Sequence, residues 1–194
     1  MKIAILAWGS LISEPRGLPV TGEWQKDGPM LWIEFSRISQ RGAHADCLTL
    51  VIDERSDEEI RTLYAVSSRT DLPKTIADLQ ERVRTSRENI GFYKVASGRF
   101  ALTAINSHPK SCERIRVWAR EKGFDAVIWT ALGPRFKDVL GIPFSPTTAL
   151  NYLNRLPTLT KEAALAYIHA APTQTMTPFR RLLLAQPGRT GGQE

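Results

Sequence analysis

KIAILAWGSL, from Lys2 to Leu11, is a short apolar run that ends on a glycine and a serine. Lys2 to Trp8 reads as a buried strand, and Gly9-Ser10 as the turn that ends it. A glycine directly after a buried strand lets the backbone bend so that successive N–H groups converge. Such a concavity suits a carboxylate or a developing oxyanion, and Ser10 adds a hydroxyl. A plain turn is the alternative reading of the same pair.

Outward from that stretch, the first 70 residues read as strands. MLWIEFSRIS (Met30 to Ser39) places Trp32, Glu34, Ser36 and Ile38 on one face and Leu31, Ile33, Phe35 and Arg37 on the other, with polar atoms interrupting both. CLTLVID (Cys47 to Asp53) and IRTLYAVS (Ile60 to Ser67) are β-rich runs separated by the acidic turn ERSDEE. Sequential strands on short turns predict an antiparallel sheet or a small barrel. The period then changes. Ile76, Leu79 and Val83 predict a helix over residues 73–85, with Asp71 as its cap. Ile90 to Ile105 is ambiguous and is read as two short strands, FYKVA and FALTAI. Cys112, Ile115, Trp118 and Ala119 form a helical stripe that stops at Gly123, and Phe124 to Leu132 reads as a fully buried strand. Ser145-Pro146 opens a helix closed by Pro157, Thr160 opens another that ends at Pro172, and Thr177-Pro178 starts a short last one. The organisation predicted is one α+β domain over residues 1–186, a small mixed or antiparallel β-barrel with flanking helices, followed by a flexible tail at 187–194.

Composition narrows the function classes. With 194 residues, 42% of them hydrophobic, the chain can bury a sufficient core without disulfide or metal staples. IAILAW falls far short of the roughly 20 residues that span a bilayer, so no membrane association is expected. Cys47 and Cys112 form no CxxC pair, and a reducing cytoplasm fits best. The net charge of +6 is uneven: residues 1–60 carry −4 and residues 61–194 carry +10. The basic residues Arg82, Arg84, Arg87, Arg114, Arg116, Arg120 and Lys122 are interleaved with glutamates, as on solvated helix faces, and no aromatic RNA-binding motif accompanies them. Nucleic acid is not the expected partner.

AWGSL (Ala7 to Leu11) resembles the YGS(L/N) loop that ends the first strand of the gamma-glutamylcyclotransferase-like (AIG2-like) family. GPMLWIEFSRIS, CLTLVID, GFDAVIWTAL, the helix ALNYLNRL and APTQTMTPFR resemble a bacterial branch of the same family, so the likeness covers most of the chain. The resemblance implies a small barrel whose anion-binding wall is Trp8, Gly9, Ser10 and Leu11. It also implies an internal cyclisation, in which a γ-glutamyl substrate's α-amine attacks its own γ-carbonyl to give 5-oxoproline and a released amine. Such an intramolecular step needs a held conformation, a stabilised oxyanion and one proton carrier. In the family that carrier is a glutamate in a stretch like L-x-x-R-E. The matching stretch here is Leu79-Gln80-Glu81-Arg82-Val83, and Val83 occupies the glutamate's place.

Valine cannot move a proton, so two other carboxylates are candidates for the base. Glu81 is nearby, but two residues along a helix is about 200°, which turns it away from the Val83 face. Glu34 interrupts an apolar strand, and a buried carboxylate facing a cavity would have a raised pKa; pairing with Arg37 or Arg41, or a solvent-facing barrel position, is the structural alternative. Arg37 could equally clamp a ligand carboxylate. Trp8 is either a ligand wall or core. His44 and Cys47 have a spacing compatible with a metal, but no second pair completes a site, and no metal is expected. His108 and His169 have no nucleophile motif beside them, and no nucleotide-binding motif occurs, so no cofactor is expected. Three readings follow: a protein that binds, and processes, a small γ-glutamyl or amino-acid-like ligand; a non-catalytic relative acting as a binding or interaction module; and a basic nucleic-acid-associated protein. The oligomeric state is not legible.

Overall fold

Ile3–Ala7 forms β1, with every residue buried. In the computed structural model, which describes residues 1–40 and 45–186, β1 lies inside a six-stranded sheet. It pairs in parallel with β10 (Ala126–Thr130) and antiparallel with β7 (Leu63–Ser67). Beyond β7 lies β2 (Val20–Gln25); beyond β10 lie β8 (Ile90–Lys94) and β9 (Arg99–Phe100). Alternate β1 side chains serve two apolar layers. Ile3, Ile5 and Ala7 pack in one cluster with Leu72, Ile76 and Leu79 of α2 (Leu72–Val83), whereas Ala4, Leu6 and Trp8 belong to a larger cluster with Phe35, Trp129 and Phe179.

The strand-rich first third is extended as predicted but paired differently. Met30 to Ser39 breaks at Trp32 into β3 (Met30–Leu31) and β4 (Ile33–Ile38), and the chain from Ile60 breaks at Thr62 into β6 (Ile60–Arg61) and β7. Both breaks are satisfied by bonds distant in sequence: Asp53 N–H donates to the Trp32 carbonyl at 2.8 Å, and Thr62 N–H to the Pro29 carbonyl at 3.1 Å. Gly28 in turn donates to the Thr62 carbonyl, so closely that a Cβ at Gly28 would stand 2.6 Å from that oxygen. β3 pairs with β6, and β4 with β5 (Leu48–Ile52), so β5 and β6 do not form a hairpin across ERSDEE. The two short ladders stay separate from the six-stranded sheet, and the described strands do not close into the expected barrel.

The helices follow their local signals. Asp71 accepts from the Lys74 N–H at 2.8 Å and caps α2, which ends at Arg84 in a left-handed conformation. FALTAI departs from its strand reading. Only Phe100 belongs to a strand, β9, and Leu102–Ser107 form α3, a short apolar run being compatible with either period. α4 (Pro109–Glu121) buries Cys112, Ile115, Trp118 and Ala119 as the stripe predicts. After α5 (Phe136–Leu140) come α6 (Pro146–Arg155), capped by Ser145, then α7 (Thr158–His169) and α8 (Pro178–Leu184), capped by Thr177. The tail at 187–194 lies outside the described residues. Cys47 and Cys112 are buried and unbridged. Among the described residues no helix is long and apolar enough to cross a membrane.

Candidate functional site

The turn after β1, Arg37 of β4 and Val83 at the end of α2 converge on one cavity of about 490 Å³. Trp8, Gly9, Ser10 and Leu11 all line it, with Thr130 and Leu132 at the end of β10 and Tyr167 of α7. Gly9 precedes α1 (Ser10–Ser13), and no side chain caps that turn. A Cβ on Gly9 would stand 3.2 Å from Leu50 Cδ1 and 3.8 Å from the Tyr167 hydroxyl, so the close approach of this backbone to its neighbours favours glycine. The carbonyl oxygens of Gly9 and Ser10 accept from Ile12 and Glu14, whereas the Ser10 and Leu11 amides donate to no backbone carbonyl outside α1 among the described residues.

Side chains fix the turn from behind. Trp8 is only 4% exposed and donates its indole N–H to the Leu50 carbonyl, so it is core and cavity wall at once. The Trp8 carbonyl accepts from the Thr175 hydroxyl at 3.0 Å. Tyr167 is hydrogen-bonded to Ser10 and to the Leu50 backbone, and burial pushes its phenol above the ordinary tyrosine value. The Ser10 side chain is therefore engaged within the protein. Arg82 donates to the carbonyls of Ser10, at 3.2 Å, and of Glu14, which ties the α1 segment to α2.

Arg37 does not pair with Glu34. It is half-buried and donates to the Gly133 carbonyl at 2.9 Å; burial, then neighbouring Arg135, holds its guanidinium below the ordinary arginine value. Val83 is half-buried at the cavity. Glu81, two residues earlier, is exposed and lines not this cavity but an adjoining depression with Asp78, which shares Arg16, Arg82 and Arg84 with it, in keeping with the helical rotation between Glu81 and Val83.

Glu34 lies elsewhere again. Its carboxylate, in a residue 2% exposed, accepts from the amides of Phe35 (2.7 Å) and Phe179 (3.2 Å) and from the Thr177 side chain. It borders a different cavity of about 350 Å³ shared with Asp53, Arg55 and Lys137. Burial pushes its carboxyl up, against the opposing effect of those donors. Burial acts the same way on Asp53, but the hydrogen-bonded Arg55 guanidinium opposes it, and that carboxyl is held below its ordinary value. Glu34 therefore joins β4 to the start of α8. Because its folded pKa is raised, the native state binds this proton more tightly than the unfolded chain does. The contribution to stability is fully present below the ordinary value of 4.5 and is lost as pH rises through the higher folded value. The urea stability of the parent relative to Glu34→Gln is accordingly expected to decline from pH 4 to pH 7. A relative gain over that range would mean that the three donors hold the carboxylate ionised.

Residues that sequence reasoning did not place here are Glu14, Arg16, Arg82, Arg84 and Tyr167, all of which line the main cavity. Among the described residues no group of three or more His, Cys, Asp or Glu could hold a metal, and His44 lies outside those residues. His108 is 3% exposed, with its ring 3.3 Å from the Ala131 carbonyl, and burial lowers its pKa. Of the basic residues that suggested a nucleic-acid face, Arg114, Arg116 and Lys122 form ion pairs with Glu59, Glu113 and Asp27. Comparison with protein-family models, with curated proteins and with solved structures returned no match.

Proposed function

We propose that this is a gamma-glutamylcyclotransferase-like protein that binds a small carboxylate-bearing ligand in the cavity beside Trp8 to Leu11 and does not carry out the ring closure. The observation behind this reading is that Val83, in the place of the family's glutamate, lines the cavity, while Glu34 and Glu81 do not. Cyclisation needs a group that takes a proton from the α-ammonium and returns it to the leaving amine. The one carboxylate among the described residues of the cavity wall, Glu14, is more than half exposed and paired with Arg16. Positioning and oxyanion stabilisation without a proton carrier make a binding site rather than a cyclotransferase.

Incubation of the protein with γ-glutamyl amino acids is expected to release no 5-oxoproline, and Glu34→Gln and Glu81→Gln leave that result unchanged. Turnover abolished by Glu14→Gln would replace the binding reading with a catalytic one based on the rim carboxylate. Binding itself is measured by calorimetry with glutamate, 5-oxoproline and glutarate, and a lack of response to all three counts against the site. Elution from heparin at low salt is expected, since paired surface arginines release few counterions.

A further inference from the structure

Among the described residues four arginines line the main cavity, namely Arg16, Arg37, Arg82 and Arg84, against the single carboxylate of Glu14. Glu14 is already paired with Arg16, and among the described residues no ion pair joins Arg37, Arg82 or Arg84 to any carboxylate. Across the α2 terminus, Asp78 is taken by Arg69, and Glu81 makes no ion pair among the described residues. Among the described residues of the wall, positive charges therefore exceed negative ones by three.

Two of these arginines stand where arginine is disfavoured. Arg16 has φ 46° and Arg84 φ 49°, the left-handed region where glycine is relaxed and a side chain costs about 1 kcal/mol. Arg84 occupies the position after a helix that glycine most often fills. Both left-handed arginines face the same cavity. Crowding of like charge is visible on Arg82 as well: burial first, then Arg16, hold its guanidinium below the ordinary arginine value, and Glu14 offsets this only in part.

Resting on the binding reading above, we infer that the ligand class is a small molecule that carries at least two negative charges, on carboxylate or phosphate, and no ammonium group. Guanidinium forks match both kinds of anion bidentately. An amino acid or a γ-glutamyl compound brings an ammonium, which this wall would repel and which has only the already paired Glu14 carboxylate to meet. An anion without it gains from every arginine.

A matched pair isolates the ammonium. Glutarate and glutamate share a carbon skeleton and two carboxylates and differ by that one group. Calorimetry at fixed ionic strength is expected to give glutarate or glycerol phosphate an affinity about tenfold or more above that of glutamate, the size expected for one uncompensated like charge. Whichever of the two anions binds tighter identifies the acidic group. Arg84→Gln, at an exposed position away from the core, should weaken the preferred anion severalfold, while Arg116→Gln on α4 should leave it unchanged. Glutamate or 5-oxoproline binding as tightly as both test anions would overturn this inference and leave the binding cavity intact. No binding by any of the four would remove both.

Discussion

Arg180→Ala is expected to destabilise the protein by on the order of 4 kcal/mol, because a buried fork of charged hydrogen bonds is lost and its acceptors are left inside. Arg180 is 5% exposed and sits in the first turn of α8, with no carboxylate partner among the described residues. Its Nη1 donates to the carbonyls of Pro172 at 2.5 Å and Thr175 at 3.1 Å, and its Nη2 to those of Ala171 at 2.8 Å and His169 at 3.3 Å. The His169 carbonyl belongs to the last turn of α7, where the helix carries partial negative charge, so the guanidinium is compensated by oriented dipoles rather than by a counter-ion. Lysine concentrates its donors at one point and cannot reach four carbonyls, so Arg180→Lys should recover little.

The effect should extend to the candidate site. Thr175, whose carbonyl Arg180 holds, donates its hydroxyl to Trp8, and Glu34 grips the same segment through Phe179. Loosening residues 171–180 therefore releases the Trp8 carbonyl. Urea unfolding gives the stability change, and amide exchange at Gly9 to Ile12 gives the local one. A variant within 1 kcal/mol of the parent would mean that water replaces the guanidinium at little cost.

APTQTMTPFR was legible as a run, and as the start of a short helix at Thr177-Pro178, but not as a brace. Its role arises from contacts to Trp8 and Glu34, which are more than 140 residues away. The same division holds elsewhere. β1, α2, α4, β10 and α6 carry their signals within a dozen residues: an uncharged run, an Asp or Ser cap, a proline in the first turn, a glycine after the last. The breaks at Trp32 and Thr62 carry none, since they are set by bonds such as Thr62 to Pro29, and the barrel expectation failed on that pairing. At the candidate site, Trp8 to Leu11, Arg37 and Val83 were readable because each lies in or beside a recognisable element. Arg16 and Arg84 were not, because sequence reasoning assigns left-handed positions to glycine, and Arg82 reads locally as one more residue on a charged helix face. Glu34 was visible as a charge in an apolar strand; that it binds backbone amides rather than facing the main cavity depends on where α8 docks.

Gly91→Ala is the second substitution with a large expected effect, about 3 kcal/mol, at the upper end of what overpacking a core costs. Gly91 of β8 lies opposite Trp129 of β10 in the ladder, and a Cβ there would stand 2.4 Å from Trp129 Cε2 and 2.6 Å from its Nε1. Trp129 has no surface to retreat toward, being fully buried in the cluster that contains Phe35 and Phe179. Its indole nitrogen meets no hydrogen-bond acceptor among the described residues, so the ring is held by packing, against that cluster and over the bare backbone of Gly91. Moving the ring would also disturb β10, whose Thr130 lines the cavity. A double-mutant cycle separates the clash from glycine's other properties. Trp129→Leu opens space beside Gly91 and removes the unpaired donor, so Gly91→Ala should cost about 1 kcal/mol or less in that background, where only the new methyl group has to be packed. Additive effects in urea unfolding would show that the glycine serves the strand's backbone rather than the indole. Strong coupling would make this close approach the reason why a strand of the central sheet, otherwise rich in β-branched and aromatic side chains, tolerates a residue that disfavours strands.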